Sequence, residues 1–153
     1  MKLSARHERW TYGILAAVYF TGVAWLVLRY AVRDDGLESV WSIARVWALR
    51  AHGAAAMVTL VAVGTLLAAH VPGGWRLRSN RRSGIGMIAA MAVLALTGWL
   101  LYYAAGEGLR AWSSWIHIAI GAAAPIALLW HLAYRRALLA KLPSGAATTG
   151  GER

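Results

Sequence analysis

The sequence predicts an all-α protein, a four-helix transmembrane bundle. Hydrophobic residues make up 59% of the 153-residue chain and charged residues only 14%, which is typical of a protein whose solvent is lipid. Four runs without a charged residue approach the ~20 residues that a helix needs to cross a bilayer: 10–28, 51–71, 83–106 and 111–134. Helix is the predicted form, because the runs lack the alternation of a membrane β-barrel and a lone strand would leave its amides unsatisfied in lipid.

The first predicted span, about residues 10–30, follows a short basic arm at residues 1–9. It stands where a signal peptide would stand. However, its apolar run is longer than a typical signal-peptide core, and three more apolar runs follow. We therefore expect it to remain as a membrane helix.

The other predicted spans cover about 46–71, 83–105 and 111–135. Before the second span, "GLESVWSIARVWALR" has apolar residues at helical spacing, which predicts an amphipathic helix that either lies at the interface or extends the span outward. The link "PGGWRLRSNRRS" predicts a plain turn, and the short link "GEGLR" makes the third and fourth spans antiparallel neighbours. Residues 136–153 are expected to form a cytoplasmic tail that is partly disordered. No internal repeat is predicted.

Positive charge is unequally distributed between the two sides of the predicted bundle. Of the 16 Lys and Arg residues, eleven lie on the side that holds both termini and the link between the second and third spans. The positive-inside rule therefore predicts cytoplasmic N- and C-termini. The net charge of +10 follows from this distribution and favours contact with anionic membrane lipid, and nothing in it indicates nucleic-acid binding.

Cysteine is absent, which excludes disulfides, thiolate metal sites, iron–sulfur clusters and the covalent attachment of a c-type haem. Any metal cofactor must therefore be held through ligands other than cysteine. The chain has five histidines: His7, His52, His70, His117 and His131. The last four lie on the second and fourth predicted spans, which run in the same direction. Ionisable groups inside a membrane are costly, so these positions suggest a function.

The spacing of these histidines places them in two layers. His52 and His70 are 18 residues apart, which is five whole helical turns, so both rings leave the same face at levels roughly 27 Å apart. His117 and His131 are 14 residues apart, within about 40° of the same face and roughly 21 Å apart. Each of the two spans therefore presents one imidazole near each membrane surface.

Opposed neutral imidazoles are the axial ligands that a low-spin haem iron requires. Zinc or a di-iron centre would need more ligands at one depth, commonly carboxylates, and the four spans contain no Asp or Glu. We predict two haem b groups, with His52 and His117 as axial iron ligands of the outer one. His70 and His131 are the predicted ligands of the inner one, with His7 as the alternative to His70, because the 18- and 14-residue steps differ by about 6 Å in rise. Hydroxyl groups that could orient the imidazoles belong to Thr59, Thr65, Thr97 and Ser114.

The chain resembles the bacterial four-helix dihaem b-type cytochromes, a cytochrome b561-like group related to the cytochrome b subunits of formate dehydrogenase and nickel–iron hydrogenase. The resemblance covers about residues 5–136 and is carried by the four spans, by "HIAIGAAAPIALLWH" and by "RAHG". The opening "RHERWTYGILAAVYFTG" is similar to the group's first helix, in which an early histidine ligates the inner haem, and this favours His7. The resemblance implies electron transfer in the bacterial inner membrane between quinone and a partner redox protein or dehydrogenase subunit.

Two functions other than electron transfer between quinone and a partner are compatible with the sequence. The first is that of a quinone-coupled oxidoreductase in its own right that acts on a small substrate such as superoxide. The second is that of a haem-free membrane anchor or transport subunit whose histidines relay protons or bind a metal ion. No motif locates a quinone site, and the sequence leaves open whether the protein is an enzyme.

Overall fold

The computed structural model describes residues 5–32, 39–76 and 81–140, with side chains for 6–32, 39–68 and 83–134. The described residues form four helices: α1 (Ala5–Tyr30), α2 (Val40–Arg76), α3 (Arg81–Tyr103) and α4 (Glu107–Ala140). Each helix contains a stretch that is long and apolar enough to cross a membrane. The predicted all-α class and the four helices of membrane-spanning length are therefore confirmed.

Two helices extend beyond the predicted apolar spans. Helix α1 begins at Ala5, so His7 lies in its first turn and the second half of the basic arm is helical. Helix α4 continues to Ala140, past the predicted end of the fourth span. Charged residues mark where a helix leaves lipid, but Arg and Lys are good helix formers and do not end it. Residues 141–153, most of the predicted tail, lie outside the described residues.

Helix α2 differs most from the sequence prediction. It is continuous from Val40, so the segment before the second span extends that span outward, which is one of the two predicted alternatives. The turn predicted at Pro72 is wrong, because the helix runs on to Arg76. Proline has a fixed φ that is compatible with a helix, although it removes one N–H bond and crowds the carbonyl oxygen four residues earlier. With 37 residues, α2 is about 56 Å long, well over the ~30 Å of a hydrocarbon core.

Ser39 caps the start of helix α2. Its hydroxyl oxygen accepts a hydrogen bond from the backbone N–H of Ser42 at 3.2 Å, and its carbonyl oxygen accepts one from the same N–H at 3.0 Å. The first N–H groups of a helix have no partner within the helix, so a side-chain acceptor at this position stabilises the end. The chain can therefore begin α2 well outside the predicted second span.

The first prediction concerns this cap. Ser39→Ala is expected to destabilise the start of α2 by about 1 kcal/mol, the usual cost of losing such a cap. The measurement is thermal unfolding of the detergent-solubilised protein, followed by circular dichroism. Ser42→Ala is the matched control, because the Ser42 hydroxyl donates to the Ser39 carbonyl at 2.8 Å and this bond satisfies no N–H group at the helix start. Equal losses in the two variants would contradict a capping role for the Ser39 side chain.

The helices pack in two pairs within two compact units, Met1–Leu77 and Arg78–Arg153. We call the α1–α2 pair the first hairpin and the α3–α4 pair the second hairpin. In the second hairpin, Thr97 contacts His117 and Ser83 contacts His131, so the two helices run in opposite directions. The predicted antiparallel arrangement of the third and fourth spans is confirmed.

The distribution of exposed side chains is the reverse of that in a water-soluble protein. Among the described side chains, the buried ones are Thr59, Thr97 and Ser113, all with hydroxyl groups. Large apolar side chains such as Phe20 and Trp130 are about two-thirds exposed. In lipid an outward apolar side chain costs nothing, whereas a hydroxyl group needs a partner inside the protein. The ring contacts of His52, His117 and His131 accordingly lie between the two helices of a hairpin.

Candidate haem-ligand sites

His52 of α2 is held by the backbone of α1. Its ring atom Nδ1 lies 3.0 Å from the carbonyl oxygen of Val18 and 3.3 Å from the hydroxyl oxygen of Thr21. A carbonyl oxygen has no proton to give, so Nδ1 is the donor in the shorter contact. In the neutral ring the other nitrogen, Nε2, then carries the lone pair. A histidine that ligates a metal through Nε2 is commonly fixed in this way through Nδ1.

Gly22 allows the His52 ring to approach α1 this closely. A Cβ atom at position 22 would lie 2.9 Å from Cε1 and 3.2 Å from Nδ1 of that ring. Carbon atoms in ordinary contact are separated by about 3.5–4.0 Å, so no larger residue fits without moving the ring. We call Thr21, Gly22 and His52 the first Thr-Gly site.

The second hairpin repeats the arrangement with His117 of α4. The ring atom Nδ1 lies 2.9 Å from the hydroxyl oxygen of Thr97 on α3. That hydroxyl donates its single proton back to the carbonyl oxygens of α3, 2.7 Å from Val93 and 3.2 Å from Leu94, so towards the ring it is the acceptor. Nδ1 therefore donates, and Nε2 carries the lone pair, as in His52.

Gly98 takes the place of Gly22 in this second contact, with a looser fit. A Cβ atom at position 98 would lie 3.5 Å from Cε1 of His117, which is an ordinary van der Waals distance. We call Thr97, Gly98 and His117 the second Thr-Gly site. The two sites share their residue types and differ in packing, because the His52 ring lies closer to its glycine.

Only part of the two Thr-Gly sites is predicted from the sequence. Thr97 is among the predicted orienting hydroxyls, whereas Thr21 is not, and no internal repeat is predicted. Two others of that set, Thr59 and Thr65, instead donate to carbonyl oxygens of their own helix, at 2.8 Å each. The sequence does contain a feature that marks both sites, because positions 21–22 and 97–98 carry the only Thr-Gly dipeptides within the predicted spans.

His131 occupies a second level in the second hairpin. Its Nδ1 lies 3.0 Å from the hydroxyl oxygen of Ser83, in the first turn of α3. Ser83 precedes Thr97 by 14 residues and His131 follows His117 by 14 residues, so the two contacts are both four helical turns apart. This hairpin therefore holds two imidazoles at levels about 21 Å apart.

His7 occupies the position in the first hairpin that Ser83 occupies in the second hairpin. It precedes Thr21 by 14 residues, as Ser83 precedes Thr97, and its side chain is exposed in the first turn of α1. Its carbonyl oxygen accepts a hydrogen bond from the Thr11 hydroxyl at 2.9 Å. His70 lies on α2, but its side chain is outside the described residues. Three predicted ligands, His52, His117 and His131, thus have described contacts with a neighbouring helix.

Comparisons and metal-ligand clusters give no further identification. No family model, curated protein or solved structure matches this chain. Among the residues that the structure describes, no three His, Cys, Asp or Glu side chains come together as a metal cage would require. A haem iron takes only two protein ligands, so that finding does not bear on it.

Proposed function

We propose that this protein is a membrane-embedded dihaem b-type cytochrome that carries electrons across a bilayer between the quinone pool and a partner redox protein or subunit. The observation that carries the proposal is that the same kind of contact orients several histidine rings. In helices apolar enough to cross a membrane, three imidazoles are each held through Nδ1 by a group on the adjacent helix. Where the acceptor is defined, at His52 and His117, Nε2 is the nitrogen with the lone pair.

The chemistry of these groups fits haem b. Neutral imidazole nitrogen is the usual axial ligand of such haems, and an Nδ1–H donor bond fixes the ring orientation and raises the basicity of Nε2. When bound, haem supplies one-electron oxidation and reduction at its iron. The chain's own groups supply the ligands, hold the rings in one orientation and keep water away from the iron.

The proposed ligands are His52 with His117 for one haem, and His131 with either His70 or His7 for the other. The 14-residue steps support His7 in the second pair, because they give the first hairpin the same two levels as the second hairpin. A step of 18 residues, from His52 to His70, is about 6 Å longer in rise. Levels about 21 Å apart within a hydrocarbon core of ~30 Å put one haem towards each surface.

The direction of the chain in the membrane rests on charge. Eleven of 16 Lys and Arg residues lie on the side of both termini, which supports cytoplasmic termini and a multi-pass location in a bacterial inner membrane. The haem held by His52 and His117 is then the one towards the periplasm. The haem held by His131 faces the cytoplasm. Electrons that pass between the two would cross the membrane.

The second prediction is the haem content of the wild-type protein. Purified in detergent from membranes of cells that make haem, it is expected to contain two haem b per chain by pyridine haemochrome quantitation. The reduced-minus-oxidised spectrum is expected to show bands of a low-spin b-type cytochrome, and added quinol should reduce at least one haem. A colourless protein would contradict the proposal and favour the haem-free anchor. Turnover of superoxide with quinone and without a partner protein would instead favour the stand-alone oxidoreductase.

A further inference from the structure

An open cavity lies beside the first turns of helix α1. Its volume is about 360 Å³, and the described residues that line it are Arg6, Arg9 and Trp10. Arg9 and Trp10 follow Arg6 by three and four residues, so the three side chains leave one face of the helix. Sites for small ligands commonly have volumes of about 300–1,000 Å³. The cavity can therefore hold a small chemical group against two guanidinium groups and an indole ring.

The charge of this face favours an anion. Guanidinium groups bind phosphate oxygens through paired N–H donors, and each group has five such donors. Arg9 can therefore contact a neighbour within the chain and a phosphate oxygen at the same time. The acidic residue beside these arginines in the sequence, Glu8, lies about 160° around the helix from Arg6. Its carboxylate accepts a hydrogen bond from the Tyr12 hydroxyl at 3.2 Å, away from the cavity.

The cavity lies at the depth of phospholipid headgroups. Trp10 begins the first apolar run of the sequence, and tryptophan is enriched at membrane interfaces. Arg9 and Arg6 precede it by about 1.5 Å and 6 Å in helical rise. The headgroup layer adds about 5–7 Å to each side of the hydrocarbon core. Both guanidinium groups are therefore expected to lie where lipid phosphates lie.

The same face of α1 continues towards the apolar part of the helix as a shallow groove. Its floor consists of Gly13 and Ala17, which are both exposed, and a Cβ atom at position 13 would meet no atom within 4 Å. Trp10 and Phe20 border it at the two ends and are 68% and 66% exposed. This face lies about 120° around α1 from the face that meets His52. We call it the α1 groove.

We infer that Arg6, Arg9 and Trp10 bind the phosphate group of an anionic phospholipid, and that one acyl chain of the same molecule lies in the α1 groove. A phospholipid joins an anion to an apolar chain, and α1 presents a basic cavity followed by an apolar groove on one face. A free phosphate compound would match the cavity but leave the groove empty. The inference goes beyond the proposed function and does not depend on the haem ligands.

The experiment measures binding of phosphatidylglycerol to the full-length protein in detergent by native mass spectrometry. Arg6→Gln is expected to weaken binding of the first lipid by about tenfold or more, because charge-assisted bonds to the phosphate are lost. Arg135→Gln is the matched control, since it removes the same charge from the second hairpin. Its effect should not exceed about threefold, because general attraction to a basic surface is screened by salt. Phosphatidylcholine with the same chains should bind the wild type more weakly, since its headgroup has no net charge.

Gly13→Leu tests the place of the acyl chain. The larger side chain would occupy the α1 groove and is expected to weaken phosphatidylglycerol binding by about fivefold or more, the usual effect of overpacking. The melting temperature should not fall, because a Cβ atom at position 13 meets no protein atom within 4 Å. Gly86→Leu on α3 is the matched control, since its Cβ would also meet nothing within 4 Å. That variant should bind the lipid as the wild type does.

Three results would overturn the inference. Equal weakening in Arg6→Gln and Arg135→Gln would indicate a general attraction of anionic lipid to basic residues. Glycerol phosphate has the anion without acyl chains, so binding of this compound as tight as that of phosphatidylglycerol would assign the cavity to a free phosphate compound. A lower melting temperature of Gly13→Leu with unchanged lipid binding would assign the α1 groove to a protein neighbour. A wild-type protein without haem would contradict the proposed function and leave this inference intact.

Discussion

Replacement of His7 by alanine is expected to reduce the haem content from two per chain to one. The register within each hairpin is the reason. His7 and Ser83 both lie 14 residues before the threonine of a Thr-Gly site, and Ser83 is the residue that contacts His131. We therefore propose His7, at the corresponding position of the first hairpin, as the second ligand of the haem proposed for His131. The measurement is haem per chain by pyridine haemochrome, together with the reduced-minus-oxidised spectrum of the purified variant.

Two comparisons make this prediction specific. His131→Ala should remove the same spectral component as His7→Ala, because the two residues are proposed to ligate one iron. His70→Ala should retain two haems, because its level is about 27 Å from that of His52, whereas the second hairpin separates its two levels by about 21 Å. Two haems in His7→Ala and one haem in His70→Ala would assign the inner ligand to His70, the residue first predicted from helical spacing.

The sequence was sufficient to predict the helices but not all their ends. Hydropathy identifies where a helix is in lipid, and the apolar runs lie inside the four observed helices, except at the end of the third run. The start of α1 at Ala5 and the end of α4 at Ala140 lie in charged sequence, where helix formation depends on backbone bonds rather than on apolar character. The break predicted at Pro72 does not occur, because the fixed φ of proline is also compatible with a helix.

The helix faces that carry the histidines were predictable from the sequence, but most of the residues that contact the histidine rings were not. Periodicity places His52 and His70 on one face of α2 from the sequence alone. Which residue of α1 lies opposite His52 depends on the rotation and register of two helices that are apolar all round. Neither is given by hydropathy, because lipid-facing and helix-facing side chains are of similar polarity. The repeated Thr-Gly dipeptide becomes informative only once both copies are seen to contact a histidine ring.

Gly22→Ala is expected to remove most of the haem that His52 and His117 are proposed to hold, whereas Gly98→Ala is expected to retain it. A methyl group at position 22 would lie 2.9 Å from Cε1 of His52, so the ring must move away from α1. It cannot do so without lengthening the 3.0 Å bond from Nδ1 to the Val18 carbonyl. Overpacking of this kind costs about 1–3 kcal/mol, which corresponds to about 5- to 150-fold in affinity. Haem titration of the purified apoprotein measures this change.

The matched variant separates a local clash from a general intolerance of alanine. At position 98 the added methyl group would lie 3.5 Å from the His117 ring, an ordinary contact, and alanine is a better helix former than glycine by up to about 1 kcal/mol. Gly98→Ala should therefore bind haem as the wild type does, and its helix α3 should be no less stable. His52→Ala and His117→Ala give the reference for complete loss, since each removes one of the two nitrogens that are proposed to ligate this iron. If Gly22→Ala also bound haem like the wild type, the His52 ring could not be the group whose position governs that site. The ligand of this haem would then have to be sought on a face of α2 that does not pack against Gly22.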